Sequence, residues 1–477
     1  MHTTSFKQFT FTLMIATLMA SSTAAAPVNV RQALATAQKF ASRPVTEFSK
    51  LAGAHLRLSH EGISKAGLTD YYVFSHGDDD GFIIVSADDR LPAVCGYSEN
   101  GAFDPEAMPP ALQSWLADYQ RQVQFVREHP DVRVQASPRL STTVSPLLTT
   151  RWHQCRPYND LCPDALSGDD PHLIYGGHAC TGCAATSTAQ VMNYYQWPIS
   201  GTGSFSYTTY VSFYNPDLPY SDSRQVTLSA DFSQSIYRWD LMRDIYLYAD
   251  KDLHGYYDDQ GHVVIHIIDD NGDTIPDPEG IHGNAVAKLM SDVGIAVRMS
   301  YGSEGSATAT GYIKLALEEF FGYQTQYRSR DEFQGDWDAT IRANLDAGHP
   351  VIYSGYGYAG GHAFVLDGYD ADGRFHVNWG WGGKYDGYFQ SLALDPAGMN
   401  FDYYQECVLI VPNKPAIQGD VDGDGRVSIN DVTFLIDLLL TDSDTAAYPG
   451  ADVDGDGRLS IEDVTTLIDL LLTGGAH

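Results

Sequence analysis

The pattern of apolar and polar positions changes several times along the 477 residues of the chain. Near the N-terminus, an apolar run occupies residues 9–20 and small residues follow it up to Ala26. The run is too short to span a bilayer with ease, and with Lys7 in front of it, it predicts a secretory signal over residues 1–26. Because Pro27 follows Ala26, cleavage after Ala24 or Ala25 is more favourable.

Residues 27–140 alternate between helical and strand-like patterns. The runs 71–74 and 81–86 are strand-like, and residues 111–126 have the apolar spacing of an amphipathic helix. This pattern predicts a small α+β unit, and it contains no evident catalytic motif. The stretch 134–146 is rich in structure-breaking residues and predicts an exposed linker that a protease could cut.

Residues 141–413 predict a helix followed by a sheet. Small and apolar residues recur at helical spacing from Cys183 to Tyr195, which indicates one helix. The apolar runs that follow, bounded by Gly and Asp turns, predict strands at residues 350–353, 363–366, 375–378 and 407–411. The expected architecture is an α+β domain, with the helical part packed on an antiparallel sheet.

An internal repeat ends the chain. Residues 419–441 and 451–473 are identical at 19 of 23 positions, at an offset of 32 residues. Residues 417–477 hold thirteen Asp or Glu against two Arg, within a chain whose formal net charge is -32. This acidity favours cation binding, and the chain has too few Lys and Arg for a nucleic-acid binder.

No run after the signal approaches eighteen apolar residues, so we expect no transmembrane segment and a protein outside the cytoplasm, where disulfides are permitted. The six cysteines are Cys95, Cys155, Cys162, Cys180, Cys183 and Cys407. If Cys183 is kept for chemistry, one or two disulfides among the others are possible, but the sequence assigns no pairing.

Three residues of the central region fit a thiol peptidase. Cys183 opens the predicted helix after Thr181-Gly182, and a helix N-terminus beside an imidazolium lowers a thiol pKa. His362 follows Gly360-Gly361 at the start of a strand and is the candidate base. Asn378 can hold the imidazole through its side-chain oxygen, which completes the order Cys, His, Asn.

The sequence motifs around these residues resemble those of the streptopain family of bacterial cysteine peptidases. They are TGCAAT at 181–186, GGHAFV at 360–365 and HVNWGWGG at 376–383. The resemblance covers about residues 147–412 and implies a papain-like fold, hydrolysis of protein or peptide substrates without a catalytic cofactor, and an upstream unit that acts as an inhibitory propeptide. The candidate substrate or oxyanion residues are Gly361, Trp379 and Trp381, and packing alone is the alternative role of the two tryptophans.

Two features depart from the family pattern. Papain-like sites often carry a Gln six residues before the nucleophile, where this chain has Gly177 beside His178. The backbone N–H of Cys183 remains one oxyanion donor, and the second is not assigned. Residues 250–280 resemble an insertion, which either reshapes the cleft or lies idle on the surface.

Structural readings compete with the catalytic one. Cys180 and Cys183 have the spacing of a redox pair or a structural disulfide. The motifs that flank them favour a catalytic role for Cys183. His178 is more typical of a loop histidine, and Asp269-x-Asn271-x-Asp273 of a solvated turn. The rival functions are a non-catalytic binding or scaffold protein and a thiol oxidoreductase.

The repeat carries the spacing of calcium loops. Each copy places three Asp at alternate positions, a backbone carbonyl at position seven and an Asp at position twelve, where an EF-hand normally has Glu. The predicted ligands are Asp420, Asp422, Asp424, Arg426 and Asp431 in the first loop, and Asp452, Asp454, Asp456, Arg458 and Asp463 in the second. We expect two Ca²⁺ ions, and folding of this unit should require them.

This duplicated loop and helix, over residues 414–477, resembles the all-α type I dockerin domain. The resemblance implies that a cohesin module of a scaffold or cell-surface protein is the partner, and that the enzyme is secreted or attached to the cell surface. A calcium-stabilised tail without a partner is the alternative.

Overall fold

The computed structural model describes most of the chain after the predicted signal. The described residues are 27–44, 48, 55–132, 134, 139–165, 177–213, 222–247, 264–269, 271–303, 305–357, 360–391, 405–414, 418–421, 427–441, 448 and 450–473. Within these residues, no helix is both long enough and apolar enough to cross a membrane.

The described helices and strands alternate along the chain. The α-helices are α1 (Val30–Ala41), α2 (Pro110–Glu128), α3 (Cys183–Tyr195), α4 (Ile281–Ala296), α5 (Thr310–Phe320), α6 (Trp337–Asp346), α7 (Ile429–Thr441) and α8 (Ile461–Thr473). The strands are β1 (Leu56–Ile63), β2 (Thr69–His76), β3 (Phe82–Ser86), β4 (Val94–Ser98), β5 (Ser204–Phe213), β6 (Asp222–Asp231), β7 (Tyr246–Leu247), β8 (His266–Ile268), β9 (Thr274–Pro276), β10 (Tyr323–Ser329), β11 (Val351–Gly357), β12 (Gly360–Tyr369), β13 (Phe375–Asn378), β14 (Gly387–Phe389) and β15 (Glu406–Pro412).

One antiparallel sheet joins the N-terminal unit to the central region. Its ten strands run in the order β1-β2-β3-β4-β14-β13-β12-β11-β15-β10. The seam is the pairing of β4 with β14, in which Tyr97 faces Tyr388 and Gly96 faces Phe389. A side chain at Gly96 would place its Cβ 2.5 Å from the Phe389 ring, so a glycine is needed where the two units meet.

The two faces of this sheet bury different cores. Ala363 and Val365 of β12 belong to the core under α3, α4 and α5, whereas Leu366 belongs to the core under α2 and α6. This separation follows from the alternation of side chains along a strand. The second core holds residues of both units, because α2 lies across strands from each of them.

An arginine of the central region anchors the N-terminal unit. Arg374 is 3% exposed, its Nε donates to Val94 O at 3.3 Å, and its guanidinium lies 5.0 Å from the Phe40 ring centre and 5.6 Å from that of Tyr97. Asp370 and Asp372 balance its charge from the turn between β12 and β13. A buried, paired arginine at this seam resists separation of the two units.

The predicted elements of the central region are confirmed. The helix spans Cys183–Tyr195 as expected, and the strand runs at 350–353, 363–366, 375–378 and 407–411 lie in β11, β12, β13 and β15. The runs at 71–74 and 81–86 lie in or overlap β2 and β3, and the amphipathic stretch 111–126 lies within α2.

The predicted linker at 134–146 is only partly a linker. Residues 133 and 135–138 lie outside the described part. Further on, Leu140 N donates to Ala371 O at 2.8 Å, and Val144 exchanges two backbone hydrogen bonds with Tyr369. Residues 140–147 therefore pair with the end of β12 and its turn, which a pattern of Pro and Ser does not reveal.

Smaller units flank the main sheet. The hairpin of β5 and β6 and the three-stranded sheet of β7, β8 and β9 are separate from it. The described part of the insertion at 250–280 forms β8 and β9, whose connecting turn is closed by Asp269 through N–H groups of Asn271 and Asp273. The helices α7 and α8 pack on each other around a small apolar core.

Candidate active site

The candidate nucleophile stands at the first residue of α3. Gly182 precedes it with a φ of 86°, and a Cβ at this position would lie 2.8 Å from Met299. Only glycine meets both conditions, because the left-handed backbone and the close contact each exclude a side chain. The turn before it is held by Thr181 N–H, which donates to Gln154 O at 3.2 Å. The sequence Thr-Gly-Cys thus fixes where the sulfur lies.

The Cys183 sulfur contacts the backbone of β12. Its Sγ accepts a hydrogen bond from Ala363 N–H at 3.3 Å. Burial raises the pKa of the Cys183 thiol, and the N–H groups of Ala363, Ala184 and Cys183 itself lower it by less. The helix N-terminus alone therefore leaves the sulfur protonated at neutral pH in this arrangement.

His362 lies on β12 next to Ala363 but on the opposite face of the sheet. It shares its side of the strand with Phe364 and Leu366, because side chains alternate along a strand. It lines a cavity of about 90 Å³ between the sheet and α2, together with Trp115 and Asp118 of that helix. The structure thus brings Cys183 against the strand that carries His362, but it does not place the imidazole beside the sulfur.

Asn378 connects β13 to the helix of the nucleophile. Its Oδ1 accepts hydrogen bonds from Gln190 Nε2 at 3.1 Å and from Gly380 N–H at 3.0 Å, and its Nδ2 donates to Thr150 O at 2.8 Å. Gln190 in turn accepts a bond from the Thr150 hydroxyl at 2.9 Å. The amide of Asn378 is therefore committed to these partners here, and the expected contact with His362 is not formed.

The two tryptophans after Asn378 differ in environment. Trp379 is 2% exposed, and its indole N–H donates to Tyr385 O at 3.0 Å. Trp381 is half-buried and lies edge-on to the His153 ring, with 5.3 Å between ring centres. Gly361 is exposed, next to His362. Trp379 therefore packs the core in this arrangement, while Trp381 and Gly361 lie at the surface.

A buried carboxyl supports the backbone of Trp379. Asp386 accepts the Trp379 N–H at 2.9 Å, and burial raises the pKa of its carboxyl to about 7. His376 lies in the same cavity, bonded through Nδ1 to Asp367 at 2.6 Å. Asp386 therefore holds the start of the loop after Asn378, and Asp367 holds the imidazole of His376.

Several residues of the site were not found from the sequence. Trp115 and Asp118 face His362 from α2, and Gln190 bridges α3 to Asn378. Gln190 gives a usable signal, since a polar side chain in the middle of a small, apolar helix face needs a buried partner. Trp115 and Asp118 give no such signal, because the pattern of an amphipathic helix does not show which surface the helix packs against.

His178 behaves as the loop histidine that the structural alternative expected, whereas Cys180 and Cys183 are not joined by a disulfide. His178 Nδ1 bonds to Cys162 O at 2.9 Å and lies 3.4 Å from Asp164 Oδ1. Gly177 bonds through its carbonyl to Ala165 N–H. All six cysteines, including Cys180 and Cys183, are present as thiols.

The second acidic loop has the arrangement of a cation site. One ligand oxygen from each of Asp452, Asp454 and Asp463 lies within 4.8 Å of the others. Asp452 Oδ1 is buried and has no hydrogen-bond partner within the described residues. Three converging carboxylates with an orphaned oxygen fit a hard cation such as Ca²⁺. Asp456 and Arg458 follow in the same loop, where Asp456 Oδ1 accepts the Arg458 N–H at 2.8 Å.

The first loop repeats the closure of the second. Asp431 accepts N–H groups of Val421 and Ser428, both at 2.7 Å, just as Asp463 accepts those of Val453 and Ser460, both at 2.8 Å. Asp420 begins this loop, and its Oδ1 is buried. The remaining predicted ligands, Asp422, Asp424 and Arg426, lie outside the described residues.

Three family models match three separate parts of the chain. The model of the Peptidase C10 family matches residues 152–389, that of the Spi protease inhibitor residues 25–123, and that of the dockerin type I domain residues 418–472. Streptopain from Streptococcus pyogenes is 31% identical over 344 residues, which cover 69% of this chain and 77% of streptopain.

The chain belongs to the Peptidase C10 family. The predicted resemblance and the enzyme class, a cysteine peptidase, are thereby confirmed. Thiol protease/hemagglutinin PrtT from Porphyromonas gingivalis is also 31% identical, over 413 residues, but this chain spans only 42% of its length. A solved fragment of prointerpain A from Prevotella intermedia matches with a TM-score of 0.57 and 31% identity, over 76% of this chain and all of the fragment. The α+β papain-like fold with a propeptide and a dockerin is therefore confirmed.

Because burial raises the pKa of Cys183 while the propeptide is bound, we predict that its reactivity depends on propeptide removal. In the intact proprotein of this C10 peptidase, alkylation of Cys183 by iodoacetamide at pH 6–7 should be slow and should rise with pH, since only the thiolate reacts. After propeptide removal, alkylation should already be rapid at pH 6. Peptide mapping of the label measures this, and equal rates at pH 6 before and after removal would contradict the assignment.

Type I dockerin domains bind calcium, and we predict that Asp452 is needed for one ion. The Asp452→Ala variant should lose one of two bound Ca²⁺ ions per chain, because it removes a converging carboxylate. Isothermal titration of the Cys183→Ala full-length chain with CaCl₂ measures the stoichiometry. Asp469→Ala, an acidic change on α8 outside the loop, is the control and should bind as the parent does.

Proposed function

We propose that this chain is a secreted zymogen of a cysteine endopeptidase that hydrolyses protein substrates through Cys183 and His362. The observation that carries the proposal is the position of Cys183, at the N-terminus of α3 with its sulfur against the strand that bears His362. A thiol at a helix N-terminus next to an imidazole is the arrangement from which a reactive thiolate forms. Domain boundaries of 27–140, 141–413 and 414–477 complete the proposal, with the activation cut falling within residues 134–140, just before the second domain.

Latency in this proposal comes from the position of the imidazole. In the propeptide-bound form, His362 lies on the α2 side of the sheet, where Trp115 and Asp118 line the same cavity. The sulfur on the other side keeps its proton, because burial raises its pKa by more than the neighbouring backbone N–H groups lower it. When α2 leaves, the side chain of His362 is free to move towards Cys183.

The proposed reaction then follows from the paired residues. His362 takes the Cys183 proton, and the thiolate attacks the substrate carbonyl. The backbone N–H of Cys183 donates to the oxyanion, as helix N-termini do in acyl transfer. His362 next protonates the leaving amine, and water hydrolyses the acyl-enzyme. No metal or cofactor is required for these steps.

The remaining predicted residues are given supporting roles. Asn378 keeps β13 and α3 together through Gln190, and we propose that its oxygen orients the imidazole once His362 has moved. Gly361, which is exposed beside His362, and Trp381, which is half-buried beside His153, are proposed to contact substrate. Trp379 is proposed to shield the site from water.

The structure also favours a narrow window for activation cleavage. Val134 N–H donates to Arg90 O of the propeptide at 3.0 Å, whereas Leu140 N–H donates to Ala371 O of the peptidase at 2.8 Å. Cleavage between these two residues separates the units without breaking the pairing of residues 140–147 with β12. The mature N-terminus should therefore lie at or before Leu140.

We further propose that the dockerin binds two Ca²⁺ ions and attaches the enzyme to a cohesin module outside the cell. Large apolar side chains are exposed at matching positions of the two repeats. Ile429 and Ile461 are 68% and 62% exposed, and Leu440 and Leu472 are 78% and 79% exposed. Exposed apolar pairs on a small domain mark a partner surface, which supports a docking module over a tail without a partner.

The enzyme assignment is tested with residues 27–477 in calcium. The wild-type chain should convert to a shorter species that begins between Val134 and Leu140 and cleaves casein. Cys183→Ala should do neither, and His362→Ala should lower casein hydrolysis by at least about 10³-fold. Mass spectrometry follows the conversion, and fluorescent casein follows the activity.

Casein hydrolysis by Cys183→Ala at the wild-type rate would reject the nucleophile. A wild-type chain that stays inert after the propeptide has been removed by an added protease would reject the enzyme reading as a whole. Loss of activity in His362→Ala without loss of folded structure, measured by circular dichroism, separates a catalytic defect from unfolding.

The latency model predicts that weakening α2 speeds activation. Trp115 is 9% exposed, and its indole N–H donates to Gln390 O of the peptidase at 3.1 Å. Replacing a buried Trp by Ala costs about 3–5 kcal/mol, so Trp115→Ala should convert at least tenfold faster than the wild type. Gln124→Ala, an exposed change on the same helix, should convert at the wild-type rate. Equal conversion rates for both variants would contradict a role of α2 in latency.

A further inference from the structure

Two buried cysteines approach each other in the segment that leads to the nucleophile. Asp164 and His178 form an antiparallel bridge, flanked by hydrogen bonds from Ala165 N–H to Gly177 O and from Ala179 N–H to Pro163 O, both 2.9 Å long. The flanking bonds show that Asp164 and His178 are a non-hydrogen-bonded pair of this short ladder.

The register of this ladder places Cys162 opposite Cys180. Each lies two residues from the bridged pair, so both point to the same side as one another. Non-hydrogen-bonded antiparallel pairs have Cα atoms about 4.5 Å apart. A disulfide needs Cα atoms about 4.4–6.8 Å apart, and the spacing expected for a pair that continues this register falls in that range.

Further contacts hold the two cysteine segments together. His178 Nδ1 bonds to Cys162 O at 2.9 Å, and Asn159 Nδ2 donates to Ala179 O at 3.1 Å. Cys162 and Cys180 are 5% and 3% exposed. Burial, and after it the neighbouring Cys180, raises the pKa of the Cys162 thiol, so the two sulfurs lie within electrostatic reach.

We propose that Cys162 and Cys180 form a disulfide in the exported protein. The oxidant is an external disulfide, either a small molecule or a thiol oxidoreductase, as extracytoplasmic compartments provide. One cysteine thiolate attacks the external disulfide and releases one thiol, and the second cysteine then attacks the mixed disulfide and releases the other. Two cysteine thiols become one S–S bond, and the external disulfide is reduced to two thiols that carry the protons.

This bond prevents Cys183 from forming a disulfide with Cys180, the cysteine nearest to it in the sequence. Cys180 and Cys183 have the Cys-x-x-Cys spacing, and a bond between them would inactivate the enzyme. The two sulfurs contact different elements, since Cys180 Sγ donates to Ser303 O at 3.5 Å and Cys183 Sγ contacts β12. A bond to Cys162 keeps Cys180 on the Ser303 side and leaves Cys183 as a thiol.

The bond also braces the chain before the nucleophile. Cys180 N–H donates to Gly302 O at 3.1 Å, and Ser306 Oγ donates to Cys180 O at 2.7 Å. A covalent link to Cys162 adds a third attachment three residues before Cys183. It closes a loop of about 18 residues, for which chain entropy in the unfolded state predicts a clear gain in stability.

The first experiment maps the disulfide in a chain that cannot react at its active site. Residues 27–477 with Cys183→Ala are treated with oxidised glutathione, unfolded, alkylated and digested without reductant. Two of the five remaining thiols should resist alkylation, and one linked peptide pair should contain Cys162 and Cys180. The melting temperature should rise by about 5–10 °C relative to the reduced protein.

Either of two outcomes overturns the proposal. One is full alkylation of Cys162 and Cys180 after oxidation, and the other is a link from either cysteine to Cys155, Cys95 or Cys407. Because this chain lacks the nucleophile, the result is independent of whether the protein is a peptidase.

The second experiment tests protection of the nucleophile. Mature Cys162→Ala enzyme, assayed in dithiothreitol to establish that it is folded and active, is then exposed to oxidised glutathione. Its casein activity should fall at least tenfold further than that of the wild type, return with dithiothreitol, and coincide with a Cys180–Cys183 link. Cys155→Ala is the matched control and should keep wild-type resistance. Equal oxidant sensitivity of Cys162→Ala and the wild type would show that Cys162 does not protect Cys183.

Discussion

The alternation of side chains along β12 is the constraint on which the site depends. Ala363 presents its backbone N–H to Cys183 and its side chain to the core under α3, so His362, one residue earlier, must face the other core. The candidate nucleophile and base are therefore neighbours in the fold but lie on opposite sides of one strand. With His362 as the proposed base, the direction of this one side chain accounts for the proposed latency without a segment that fills the substrate cleft.

The continuous sheet explains how a propeptide can hold that side chain. The strand β4 pairs with β14, and α2 covers apolar residues from both units on the face of His362. Departure of the propeptide exposes the edge of β14 and part of this core, both of which are costly in water. The propeptide-bound state is thus favoured by the same interactions that stabilise the sheet, and Arg374 adds a buried polar anchor.

The sequence predicts the helices and strands but not which of them pair or pack together. Periodicity predicts α3 and the strands because burial repeats along each element. Thr181-Gly182 predicts the turn that places Cys183 at the start of α3, because only glycine fits at Gly182. The pairing of β4 with β14 is not visible, since strand partners are not encoded locally. Alternation also leaves open which face His362 takes, and the bond of Asn378 to Gln190 depends on packing between distant elements.

In the C-terminal loops too, the local sequence predicts some features, while others depend on how the loop folds. The spacing of their Asp residues is a local property, and it predicts the convergence of Asp452, Asp454 and Asp463 correctly. What the spacing does not reveal is that Asp463 is fully buried and closes the loop through N–H groups at both of its ends. These bonds satisfy part of one carboxylate but leave the repulsion among three of them. A divalent cation is the physical means of offsetting that repulsion, so closure of the loop by Asp463 and binding of Ca²⁺ must reinforce each other.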